Sequence, residues 1–138
     1  MLGELLTVKK KILIVDDEQF IREFYQELLT QEGYGVQIAK DGQEGVELAL
    51  QQKPDLILLD IKMPVMDGFT TFEKLKSNSI NVPVIFLTNI GDTEHILQAQ
   101  EAAASSFLIK SNIKPEELLS EVKNALDLAD GQRQLELP

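Results

Sequence analysis

Four apolar runs in this chain each end in a residue suited to chemistry. Asp16 and Asp17 follow Ile12 to Val15, Asp60 follows Leu56 to Leu59, Thr88 follows Val84 to Leu87, and Lys110 follows Phe107 to Ile109. Taken singly, these are ordinary: an Asp pair caps a helix, an Asp or Thr ends a strand, and a Lys is a solvated charge. As a set they form a reactive group of three carboxylates, one hydroxyl and one ammonium. Two carboxylates about 4 Å apart repel by roughly 4 kcal/mol at an effective dielectric near 20. Converging acids therefore raise one another's pKa values unless a cation joins them. Oxygen ligands without His or Cys suit Mg2+ best. Asp17 would bind the ion directly, Asp16 directly or through water, Asp60 through its carboxylate, and the Lys62 carbonyl is the nearest backbone oxygen able to complete the shell.

A carboxylate beside such an ion can attack phosphorus and form an acyl phosphate, which makes Asp60 the candidate phosphoacceptor. Lys110 would pair with one phosphoryl oxygen and the Thr88 hydroxyl would hydrogen-bond another.

Convergence requires the four runs to be neighbouring parallel strands. Short β-branched apolar runs read as strands buried on both faces. Between them lie helical patterns. Phe20, Phe24 and Leu28 recur at helical spacing, with Ile21 and Leu29 beside them, up to Gly33. After a strand at Val36 to Ala39 and a turn at Asp41-Gly42, Val46, Ala49 and Leu50 mark a second helix that stops before Pro54. Asp67 is placed to cap a third, carrying Phe69, Phe72 and Leu75. Ile96, Leu97 and Ala99 mark a fourth. Pro115 opens a fifth, with Leu118, Leu119, Val122, Ala125, Leu126 and Ala129 on its apolar face. Five strand–helix units in order predict an α/β domain with a parallel sheet and right-handed crossovers. Such sheets bind ligands beyond the carboxyl ends of their strands, where all four polar groups fall. The expected division is an N-terminal extension over 1–9, one domain over 10–129 and a C-terminal tail over 130–138.

Composition narrows the function classes. The 138 residues include no cysteine and one histidine, which excludes thiolate sites and His-rich metal sites. The formal net charge of −10 repels nucleic-acid phosphates and anionic lipids, so no direct nucleic-acid binding and no membrane association are expected. No apolar run is long enough to span a bilayer, and residues 1–8 lack a signal peptide's basic region; the expected location is cytoplasmic.

The segments "ILIVDDE", "PDLILLDIKMPVMDGF", "VPVIFLTN" and "SSFLIK" strongly resemble the response-regulator receiver family of two-component signalling. The likeness spans about residues 10 to 129. It implies a flavodoxin-like, doubly wound (βα)5 fold with strand order 2-1-3-4-5. It also implies Asp60 as phosphoacceptor, Asp16 and Asp17 as Mg2+ acids, and Thr88 and Lys110 as the family's hydroxyl and lysine. The donor would be a sensor histidine kinase or a histidine phosphotransfer protein, with acetyl phosphate as a small substitute. The family's switch would run from Thr88 to Phe107, which turns inward. It would change a surface made of Glu94 to Ala104, Phe107 to Ile109 and Pro115 to Leu128, read by a downstream protein target. The state would be a monomer or a phosphorylation-dependent dimer. Slow autodephosphorylation is expected, without enzymatic turnover.

Three positions depart from the family pattern. Ser111 follows Lys110 where the family has a cis-bonded Pro, so that peptide is either a strained cis bond or trans. Asn89 is bulkier than the usual residue after Thr, and Ala103-Ala104 replaces Gly-Ala. Competing readings are weaker. A phosphorylation-independent pseudo-receiver typically lacks one of the acids, the acceptor or the lysine, and all are present. A flavin or nucleotide binder needs a phosphate-friendly loop after the first strand. Here that loop is Asp16-Asp17-Glu18. A hydrolytic Mg2+ enzyme would need a cap domain or dedicated acid, and none is visible.

Overall fold

The computed structural model describes residues 9–89, 106–111 and 113–136, with side chains described as far as 132. The elements are β1 (Lys11–Val15), α1 (Gln19–Gln31), β2 (Gly35–Ala39), α2 (Gly42–Gln52), β3 (Leu56–Asp60), α3 (Gly68–Ser77), β4 (Val84–Thr88), β5 (Ser106–Ile109) and α4 (Pro115–Glu136). The sequence expectations for a helix over Glu94 to Ala104, for Ala103-Ala104 and for 1–8 lie outside the described residues.

The strands form one parallel sheet in the order β2-β1-β3-β4-β5, as the resemblance implies. Alternation along each strand sends side chains to two separate cores. Leu13, Val15, Ile57, Leu59 and Phe86 pack with Ala49 of α2 and with Phe69, Phe72 and Leu75 of α3. Ile12, Ile14, Leu56, Leu58, Ile85 and Leu87 pack with Tyr25 and Leu29 of α1 and with Leu118, Val122, Ala125 and Leu126 of α4. Burial on both faces explains why β1, β3 and β4 read as unbroken apolar runs.

Helix starts follow their caps. Asp41 accepts the Glu44 N–H at 2.8 Å, and Asp67 accepts the Thr70 N–H at 2.8 Å. Two helices differ from the sequence reading. In α1 the buried residues are Tyr25 and Leu29, whereas Phe20 and Phe24 face outward and stack on each other, with ring centroids 6.1 Å apart. The inward stripe is therefore rotated by one position from Phe20 and Phe24. In α4 the backbone stays helical through Gly131 to Glu136, although the apolar face ends at Ala129. A glycine inside a helix costs only about 1 kcal/mol, and Gln and Arg beyond it favour helix.

The loop joining β3 to α3 folds back under the strand end. Gly68 donates its N–H to the Ile61 carbonyl at 2.7 Å, and a Cβ at Gly68 would overlap the Asp60 carbonyl oxygen. Glycine is required there by close approach. In the same loop Val65 sits fully exposed at φ 69°. A β-branched side chain is costly in that left-handed region, and Asn is tolerated there. Val65→Asn is expected to raise unfolding stability by about 1 kcal/mol in urea titration.

Candidate phosphoacceptor site

Parallel pairing puts every strand's carboxyl end at one edge, and local backbone bonds hold the polar residues there. Asp16 N–H donates to the Ala39 carbonyl at 3.1 Å, Ile61 N–H to the Leu87 carbonyl at 3.0 Å, and Lys110 N–H to the Thr88 carbonyl at 2.7 Å. Asp16, Asp60, Thr88 and Lys110 are all buried, while Asp17 is exposed.

The Lys110 ammonium is the hub. Its Nζ lies 2.9 Å from Asp16 Oδ2, 3.5 Å from Asp60 Oδ2 and 2.7 Å from Glu18 Oε1. Burial alone would lower its pKa, but the hydrogen bonds to Glu18 and Asp16 outweigh that and hold it above the usual lysine range. Burial pushes the Asp16 carboxyl up, opposed by the Glu18 N–H at 2.8 Å and by Lys110. Asp60 is pushed up to about 8, first by burial and then by the Asp16 charge, against Lys110. A side-chain hydrogen bond with Asp17 adds to the rise, which also places Asp17 beside Asp60. Arg22 braces the loop by donating from Nη1 to the Asp16 carbonyl at 2.7 Å.

Beneath this group, on the α1 face of the sheet, lies Tyr25. Its hydroxyl is buried without a hydrogen-bond partner among the described residues. Burial pushes it up to about 12, and the charges of Lys110, Asp16, Glu18 and Asp60 all reach it.

The structure thus brings Asp16, Asp17, Asp60 and Lys110 together, with Thr88 at the end of the adjoining strand. Lys62 lies two residues beyond Asp60 in the β3–α3 loop, its side chain exposed. Phe107 is half-buried and packs against the core that contains Phe86. The Lys110–Ser111 peptide is trans, which decides between the two possibilities left open by the missing proline. Glu18 and Tyr25 are the residues that sequence reasoning missed. The acid after Asp16-Asp17 was the only available signal for Glu18.

A divalent ion fits this donor set. Carboxylate oxygens of Asp16, Asp17 and Glu18 lie within 4.8 Å of one another. Asp60 Oδ2 is buried with no hydrogen-bond partner among the described residues. Buried carboxylates with raised pKa values are a site short of positive charge, and all the donors are hard oxygens.

A family model for the response regulator receiver domain matches residues 12–123. This chain belongs to the response regulator receiver domain family. Receiver domains are signalling modules of two-component systems whose general property is phosphorylation on Asp, and they generally bind Mg2+ through an acidic pocket. Among curated relatives, the probable transcriptional regulator ycf27 of Guillardia theta is 37% identical over 121 residues, covering 88% of this chain and 47% of that protein. The DNA-binding dual master transcriptional regulator RpaA of Synechocystis is 37% identical over 122 residues, covering 87% of this chain and 50% of that protein. The receiver chain spans about half the length of these relatives. Among solved structures, a receiver domain protein (CheY-like) from Methanospirillum hungatei superposes with a TM-score of 0.84 at 31% identity, covering 91% of this chain and 99% of that one.

The relatives correct one expectation. The exclusion of direct nucleic-acid binding does not stand, because similar proteins are named transcriptional regulators, one of them DNA-binding. Net charge summed over a receiver domain was too coarse a measure to exclude that class. As to membranes, no helix among the described residues is long and apolar enough to cross one.

Proposed function

We propose that this receiver domain, taken as residues 10–129, is a phosphorylation switch whose acceptor is Asp60. The observation that carries the reading is a buried Asp60 held between acids and the Lys110 ammonium at the carboxyl edge of the sheet. The ionised Asp60 carboxylate attacks phosphorus. An O–P bond forms, the bond to the leaving group breaks, and the leaving group departs with the electron pair, as acetate when the donor is acetyl phosphate. Asp16, Asp17 and Asp60, with the Lys62 carbonyl, would hold Mg2+. When bound, the ion supplies the positive charge that favours ionised Asp60 and offsets the incoming phosphoryl charge. Lys110 and Thr88 would hold phosphoryl oxygens.

In the cell the donor would be a sensor histidine kinase or histidine phosphotransfer protein in the cytoplasm. Thr88 and Phe107 would relay the change to the surface of Phe107 to Ile109 and Pro115 to Leu128, where a protein target reads it. Relatives named as transcriptional regulators support an output in gene control. Turnover of outside substrates forms no part of this reading.

The test is intact-mass spectrometry after incubation with acetyl phosphate. One phosphoryl group is expected with Mg2+ and none with excess chelator. Protein that never gains the group with Mg2+ present is a pseudo-receiver, and the proposal fails.

A further inference from the structure

The shortest contact of the Lys110 ammonium is to Glu18, at 2.7 Å. Glu18 differs from the other two carboxylates around that ammonium: its side chain is 52% exposed, against 0% for Asp16 and 2% for Asp60. It therefore gives up little hydration in reaching inward, and the contact joins residues 92 positions apart. The Glu18 backbone N–H separately fixes Asp16 Oδ1 at 2.8 Å. Although Glu18 precedes the first turn of α1, its side chain makes no capping bond to that helix. The carboxylate is thus free of a helix-start duty and is spent on Lys110.

An ammonium has three N–H donors in all. Here it faces three carboxylates, and a phosphoryl oxygen arriving at Asp60 must displace one of them. The geometry points to Glu18 as a positioning residue that holds Lys110 in a latch and competes with the phosphoryl group for its ammonium. Asp60 belongs to β3, and Asp16 is held by its own N–H on the Ala39 carbonyl and by the Glu18 N–H on its Oδ1, so the exposed Glu18 side chain is the partner that yields. Its negative charge at the mouth of the site also opposes an anionic donor. Both effects slow phosphorylation, so Glu18 sets the rate at which the site loads. This inference rests on Asp60 being the phosphoacceptor.

Glu18→Gln removes the charge while keeping side-chain length and the backbone N–H to Asp16. Labelling by acetyl phosphate at saturating Mg2+ is followed by intact mass, since the chain has no tryptophan to report by fluorescence. The variant is expected to label about two- to fivefold faster than the parent, the range set by a half-exposed ion pair. In a Lys110→Met background the same substitution is expected to accelerate labelling less, because the latch is already gone and only the repulsion of the donor remains. An unchanged or slower rate for Glu18→Gln alone overturns the proposal. So does an equal acceleration in both backgrounds, which would mean plain repulsion. If Lys110→Met does not fold or does not label, 19F NMR of beryllofluoride binding at low and high salt carries the test: tighter binding by Glu18→Gln that persists at high salt supports the latch, and equal or weaker binding, or an advantage that salt removes, sinks it. A parent protein that does not label at all defeats the phosphoacceptor reading itself, a result distinct from any of these.

Discussion

Asp60→Asn is expected to abolish phosphoryl uptake and, without divalent ions, to give a protein more stable than the parent above neutral pH. Loss of labelling follows because an amide oxygen is too poor a nucleophile to replace the carboxylate. The gain in stability follows from burial. Asp60 titrates near its ordinary value of 3.8 when the chain is unfolded and is pushed up to about 8 in the fold, by desolvation and the Asp16 charge. Between those values the native state binds the proton that the unfolded state has lost. Stability therefore falls as pH rises through this window, with a limiting slope of about 1.4 kcal/mol per pH unit. Asn carries no charge at any pH, so its variant escapes this loss. Urea titrations in chelator should give nearly equal stabilities near pH 4 and a gap of a few kcal/mol in favour of Asn near pH 8. Retained hydroxylamine-sensitive, Asp-type labelling in the variant would move the acceptor elsewhere. A gap that is absent or reversed at pH 8 would mean that Asp60 is not the strained carboxylate described above.

The same physics explains what could be read from the chain. Buried strands must be apolar throughout, so a polar residue closing such a run stands out; Asp16, Asp60, Thr88 and Lys110 were visible for that reason. Parallel pairing then fixed their shared edge. The inward face of α1 was harder to read, because Phe20, Phe24 and Tyr25 are all apolar enough to face in, and only tertiary packing selects Tyr25. The end of α4 was misplaced because Gly131 weakens a helix without stopping it. Glu18 belonged, from the sequence, to a loop of three acids. Its bond to Lys110 exists only because β5 lies at the same sheet edge, a long-range fact that no local pattern contains. The left-handed Val65 contradicts residue preference, so propensity pointed away from it. Net charge does not exclude a role in nucleic-acid binding, because it averages over a surface and this chain spans only about half the length of relatives named as transcriptional regulators.

Lys110→Met should have the largest effect on stability. Methionine keeps most of the stem's length and removes only the ammonium, leaving Asp16 and Asp60 buried without their counter-ion. Breaking one side of a buried ion pair costs about 3–5 kcal/mol, well above the value of an exposed pair. The loss should grow as pH rises above 8, where Asp60 ionises in the parent beside Lys110, and be smaller near pH 5, where Asp60 holds a proton and needs no cation. Adding Asp60→Asn to Lys110→Met should recover much of the loss above pH 8, where Asp60 ionises and is one of the two stranded charges. Mg2+ should also recover it, and should do so less in the double variant, which has one fewer carboxylate to offer. Urea midpoints of the parent, both single variants and the double variant, with and without Mg2+, give the full cycle. If the two substitutions prove additive, the Lys110 ammonium and the Asp60 carboxylate are not coupled. The 3.5 Å contact between them would then carry no energy, and the charge-balance account of the site would fail with it.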